Sequence, residues 1–172
     1  MKILTIKNAS LRAGFLCHKR LPYFKITLVG IILVKVSETS GNSVSDNGVV
    51  YWNPELGTKS DNGVVRSPAS VLDHEIDHGV QSQTNPEQYE KDSEAKSDSQ
   101  YDTKEERRVV TGSEQKTARA NGEIVEGEVT RTNHQGTPVV TKGVTSTKIN
   151  AKKTNEYNKA NNNKVYEWSS EY

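Results

Sequence analysis

The chain has 172 residues, 32% of them hydrophobic and 26% charged, with a mean hydropathy of -0.78, so it can bury only a modest core. Its 23 Lys and Arg against 22 Asp and Glu leave a net charge of +1, which removes any global electrostatic case for nucleic acid or for an anionic membrane. A single cysteine, Cys17, excludes an internal disulfide and a cysteine-rich zinc module, so a metal site must be built from His, Asp and Glu.

Residues 1–40 read as an N-terminal extension. Ile26 to Val34 is an almost unbroken apolar run behind the basic His18-Lys19-Arg20 and Lys25, the layout of a signal segment. The run is too short to span a bilayer, and no transmembrane span is expected. Lys35-Val36-Ser37-Glu38 lacks the small-x-small pattern that a signal peptidase reads. A buried strand over Lys25–Val36 is the preferred reading.

Residues 41–142 hold the chemistry. After a polar linker up to Asn47, the hexapeptide Ser45-Asp46-Asn47-Gly48-Val49-Val50 recurs fifteen residues later as Ser60-Asp61-Asn62-Gly63-Val64-Val65. Asn-Gly favours type I′ turns, so each copy predicts a tight turn feeding a strand. The expected result is one small antiparallel sheet with Val49-Val50-Tyr51-Trp52 as its central strand and Asn53 to Gly57 as the next turn. A strand edge just ahead of the following helix would suit an extended peptide.

That helix is predicted from Ala69 to about Gln81, capped by Ser67 with Pro68 at its first position. It carries His74-Glu75-Ile76-Asp77-His78, the zinc-peptidase signature. Two histidines four residues apart share a face, about 6 Å from each other, and can both reach one zinc ion. Glu75 lies where it can serve as general base on water. Asp77 is unusual for such a motif, and its carboxylate is expected to face solvent or to accept a hydrogen bond from a ligand imidazole.

Thr84 to Lys104, rich in Glu, Asp, Ser, Gln and Lys, reads as a surface excursion or mobile loop. Glu105 to Gly122 regains helical character. A third ligand is needed here. Gln81 and Thr84 stand where a glycine and a third histidine would extend the motif, which leaves a downstream glutamate: Glu105, Glu106, Glu114 or Glu123. Glu114 is preferred, because Thr111-Gly112-Ser113 reads as a turn and N-cap that would hold it in a first helical turn; Glu106 is the runner-up. His134, Arg131 or Tyr157 would supply a donor to the oxyanion of an acyl-transfer step. Residues 143–172 read as a polar tail, disordered or ending in a strand at Val165-Tyr166-Glu167-Trp168.

Several of these segments occur in a suggestive order. Val50-Tyr51-Trp52-Asn53-Pro54 precedes Arg66-Ser67-Pro68-Ala69 and the His-Glu-x-x-His helix. Glu106-Arg107-Arg108-Val109-x-Thr111-Gly112-x-Glu114 follows, then Ala118-Arg119-Ala120-Asn121-Gly122-Glu123 and Arg131-Thr132-Asn133-His134. This succession, over roughly residues 48–140, resembles the zinc metallopeptidase domain of bacterial effector proteins, found also as the tip of YD-repeat (RHS) polymorphic toxins.

The resemblance implies Zn2+ held by His74, His78 and Glu114, Glu75 as the catalytic base, and proteolysis of a protein or peptide substrate. It also implies secretion or delivery into a target cell, and an immunity protein in the producer. The expected architecture is α+β and zincin-like, a small antiparallel sheet beside the zinc-ligand helix and a second, glutamate-bearing helix. Two rival functions compete with this one: a non-catalytic secreted or toxin-associated interaction module, and a zinc hydrolase acting on a non-protein substrate.

Overall fold

The apolar stretch that ends at Val36 forms a strand over its described part. The computed structural model describes residues 3–7, 31–36, 42–44, 49–96 and 100–161. Ile31–Val36 (β2) pairs antiparallel with Ile3–Lys7 (β1) and parallel with Val50–Trp52 (β4), which in turn pairs antiparallel with Ser43–Val44 (β3). The sheet order is β1-β2-β4-β3. Residues 8–30 and 162–172, which hold the first part of the signal-like run and the candidate final strand, lie outside the described residues, as does the turn of the first hexapeptide.

A second sheet of three antiparallel strands has the order β6-β5-β7. Leu56–Lys59 (β5) lies between Val65–Arg66 (β6) and Thr137–Val140 (β7). The second hexapeptide makes the β5–β6 turn, with Gly63 N–H donating to Ser60 O at 2.9 Å. It is not a type I′ turn: φ is positive at Gly63 (89°) but not at Asn62, whereas type I′ requires both central residues there.

Two expectations fail here. The strands form two sheets, one of them with a parallel pair. And β4, flanked by β2 and β3, offers no free edge to a peptide. Its interior place follows from burial: Val50 is fully enclosed, together with Val34 of β2.

Pro68–Thr84 is helix α1. Ser67 caps it by accepting from Ser70 N–H at 3.3 Å, and Pro68 fills the first helical position, where a missing N–H costs nothing. The indole of Trp52 donates to Pro68 O at 2.9 Å, which pins the first sheet to the helix start. Ile76 packs with Val34 and Val50, bordered by Trp52, Leu72 and Val80. One face of α1 is therefore committed to the core, and the histidine face points the other way.

Pro86–Glu94 (α2) follows after Asn85, where a loop was expected. Pro86 opens this helix, Glu87 lies in its first turn and Lys91 in its last, an arrangement that suits the helix dipole. It buries no residue, so no apolar stripe marked it in the sequence. Lys104–Thr111 (α3) and Ser113–Ala120 (α4) meet at Gly112. A β-carbon there would lie 2.6 Å from Arg108 O, so only glycine lets the two helices join this closely.

Ala151–Ala160 (α5) occupies the segment read as a tail. Asn150 caps it, and buried Thr154 accepts from Val140 N–H at 2.9 Å, docking the helix on β7. Its few anchors are polar, which is why composition concealed it. The whole is an α+β fold. Among the described residues no helix is long and apolar enough to cross a membrane.

Because Ile76 and the histidines lie on opposite faces of α1, stability and site geometry are separable. Ile76→Ala is expected to cost about 2–4 kcal/mol in denaturant unfolding while leaving any metal stoichiometry of the folded protein intact.

Candidate metal centre

His74 and His78 stand one helical turn apart on α1, both buried, with ring centroids 4.8 Å apart and planes at 82°. Their Nε2 atoms are 3.2 Å from each other. Oε2 of Glu106 lies 3.2 Å from His78 Nε2 and 3.5 Å from His74 Nε2. A tetrahedral ion with bonds of about 2.0–2.1 Å spaces its ligand atoms about 3.3–3.4 Å apart. The triangle of 3.2, 3.2 and 3.5 Å matches that spacing, and the group His74, His78 and Glu106 is able to hold a metal ion.

Glu114 is not part of this group. Its wholly buried carboxylate sits on the opposite side of the His74 ring, 2.9 Å from Nδ1. There it accepts from Arg66 Nη1 at 2.5 Å, from Arg131 Nη2 at 2.7 Å and from the hydroxyl of Thr130. The runner-up Glu106, and not the preferred Glu114, stands beside the two Nε2 atoms. Glu106 is held by Thr103, whose hydroxyl accepts from Glu106 N–H at 3.0 Å; the Thr-x-x-Glu spacing was the available clue. Glu114 needed two arginines from distant segments, which no local pattern discloses.

Glu105 repeats for His78 what Glu114 does for His74, with Oε1 at 2.9 Å from His78 Nδ1. Both imidazoles are thus oriented by a carboxylate on Nδ1 and leave Nε2 turned to the common centre, the arrangement that fixes tautomer and ring angle in metal-binding histidines. Arg131 adds a clamp: one Nη2 donates to Glu106 Oε1 at 2.9 Å as well as to Glu114. Glu106 thereby keeps Oε2 for the centre.

Asp77 neither faces only solvent nor touches an imidazole, contrary to expectation. It accepts from Arg108 Nη1 at 2.9 Å and from the Ser113 hydroxyl at 2.5 Å. Glu123 accepts from Ser67 N–H and, at 2.8 Å, from the Ser70 hydroxyl at the start of α1, so it serves the helix end. Arg131, occupied by Glu106 and Glu114, is not free to meet an oxyanion. His134 lines the cavity, with Nδ1 donating to Gln100 O at 3.0 Å. Tyr157, on α5, is not among the lining residues.

The cavity has a volume of about 350 Å³. Glu75, both histidines and Glu106 line one side; Leu56, Gly57 and Pro138 of the second sheet lie on the other. Burial raises the Glu75 carboxyl above its ordinary range, and the nearby imidazoles do not cancel the effect. Burial acts likewise on Glu106 and Glu114, but there it is outweighed: both histidines and Arg131 hold Glu106 below the usual range, and Arg66, His74 and Arg131 do so for Glu114. Burial works against the His78 imidazolium, yet hydrogen bonds to Glu105 and Glu106 lift its pKa to about 9.

Charge explains why. Glu75, Glu106 and Glu114 act on the His74 ring and Glu75, Glu105 and Glu106 on the His78 ring, so positive charge is favoured there, as protons on the imidazoles or as a cation between neutral ones.

Comparison with family models, with curated proteins and with solved structures returns no match.

Two outcomes follow from the geometry. Glu114→Gln leaves Arg66 without its carboxylate in the interior and should cost about 3–5 kcal/mol in chemical denaturation, more than Glu106→Gln, whose carboxylate is partly exposed. In metal-free protein, a His78 pKa raised from 6.5 to about 9 stabilises the fold fully below pH 6.5. That contribution disappears as pH rises through about 9. The denaturant midpoint should accordingly fall between those pH values, and His78→Gln should flatten that slope.

Proposed function

We propose that the protein is a zinc-dependent endopeptidase of the effector or toxin type, with a zincin-like arrangement of its metal helix and glutamate-bearing helix. The observation that carries the reading is the triangle of His74 Nε2, His78 Nε2 and Glu106 Oε2 at 3.2–3.5 Å, with each imidazole held from behind by its own carboxylate. His74, His78 and Glu106 would hold the ion. Bound there, zinc lowers the pKa of a water molecule towards neutrality and withdraws electron density from a carbonyl.

The chain's own groups do the rest. Glu75 accepts the proton of the attacking water as its oxygen adds to the scissile carbonyl carbon, then returns that proton to the leaving amine as the C–N bond breaks. A carboxyl already raised by burial is better matched to this exchange near neutral pH than a solvated one. His134 lines the cavity with its Nδ1 held on Gln100 O and is the candidate donor to the developing oxyanion. The second sheet forms the wall against which a chain would lie.

A peptide substrate, action inside a target cell and an immunity partner in the producer rest on the resemblance of residues 48–140 to effector and toxin peptidases. The chemistry itself serves other amides and esters equally.

The test begins with metal content, before and after a chelator, in wild type and His78→Ala. One zinc per chain in wild type, absent from His78→Ala, supports the reading. Glu75→Gln should keep that zinc and lose at least about 100-fold of turnover on an unfolded-protein or peptide-library substrate. Full activity in Glu75→Gln would refute the mechanism, and a wild type that binds no zinc would favour a non-catalytic module.

A further inference from the structure

Asp77 stands inside the metal motif yet points away from the metal group. Its carboxylate lies at one end of an unbroken series of hydrogen bonds that ends on a metal-facing ring. Ser113 Oγ donates to Asp77 Oδ2 at 2.5 Å, and Arg108 Nη1 donates to the same oxygen at 2.9 Å. Arg108 then uses its other edge on Glu105, with Nε to Oε2 at 2.8 Å and Nη2 to Oε1 at 2.7 Å. Glu105 Oε1 meets His78 Nδ1 at 2.9 Å.

We propose that Asp77 is a positioning residue of the metal centre, acting on His78 through Arg108 and Glu105 and tying the centre to α4 through Ser113. The proposal rests on the reading of His74, His78 and Glu106 as a metal site. Arg108 is the joint of the series. Its side chain is about one third exposed, at 34%, and a guanidinium with one free edge would exchange among rotamers and water. Asp77 occupies the edge that Glu105 leaves open, so the planar fork is fixed from both sides.

The same series fixes Glu105 Oε1 on His78 Nδ1 at 2.9 Å and so holds the ring with Nε2 turned to the centre. A simpler alternative is that Asp77 only fastens α1 to α4 through Ser113. The two differ in one respect: positioning requires Arg108, and fastening does not.

The experiment measures zinc affinity by competition with a chromophoric chelator for wild type, Asp77→Asn, Arg108→Met and the double variant, with the visible spectrum of cobalt-substituted protein as the second readout. Asp77→Asn is expected to weaken zinc by about tenfold and to shift the cobalt bands. The double variant should bind no more weakly than the weaker single variant. Zinc affinity of Asp77→Asn within twofold of wild type overturns the proposal, and so does a double variant whose loss is the product of the two single losses. Should Asp77→Asn fail to fold, Arg108→Lys keeps the charge without the fork, and unaltered zinc affinity in that variant overturns the proposal equally. Wild type without stoichiometric zinc overturns the metal reading and this proposal together, whereas zinc in wild type with an unresponsive Asp77→Asn defeats the proposal alone.

Discussion

A carboxylate with no access to water must be surrounded by donors, and Glu114 is such a carboxylate. Arg66 reaches it from β6, His74 from α1, and Thr130 with Arg131 from the segment ahead of β7. Three separate stretches of chain thus converge because one charge on α4 would be intolerable without them. The orientation of His74 is a by-product of that satisfaction: its Nδ1 is one of the donors, and its Nε2 is left facing His78 and Glu106. Structural need and ligand geometry are here the same set of contacts.

The carboxylates around the two rings give the arrangement its chemical direction. They favour positive charge at the imidazoles, and a cation held between neutral rings would answer the same field. The distances among the Nε2 atoms and Oε2 of Glu106 differ little from those a tetrahedral ion would impose.

Much of the framework was legible in the sequence because it is locally encoded. Ser67-Pro68 announces α1, the His-x-x-x-His spacing places both rings on one face, and Gly63 closes the β5–β6 turn. The second helical region was also readable, though its division at Gly112 into α3 and α4 was seen only as a turn. What escaped depends on distant partners. Neither the parallel pairing of β2 with β4 nor the separate second sheet has a local signature. Helices α2 and α5 lack the apolar stripe by which helices are recognised. Glu106 and Glu114 look alike in sequence; they differ in what Arg66 and Arg131 bring to them, and those arginines lie 48 and 17 residues from Glu114.

The pairing of β7 with β5, Leu56 opposite Val140 and Lys59 opposite Thr137, has a consequence for the order of events in folding. The hairpin, α1 and the α3–α4 pair are built from contacts near in sequence and can form early. The wall that the second sheet gives the cavity is complete only when β7 closes a loop of roughly eighty residues back onto β5, and such closure is slow relative to local helix formation. Until it happens, the cavity lacks Gly136 and Pro138. A nascent chain therefore carries both histidines of its motif well before the pocket around them is complete, and the late strand acts as the latch that turns two adjacent imidazoles into an enclosed centre.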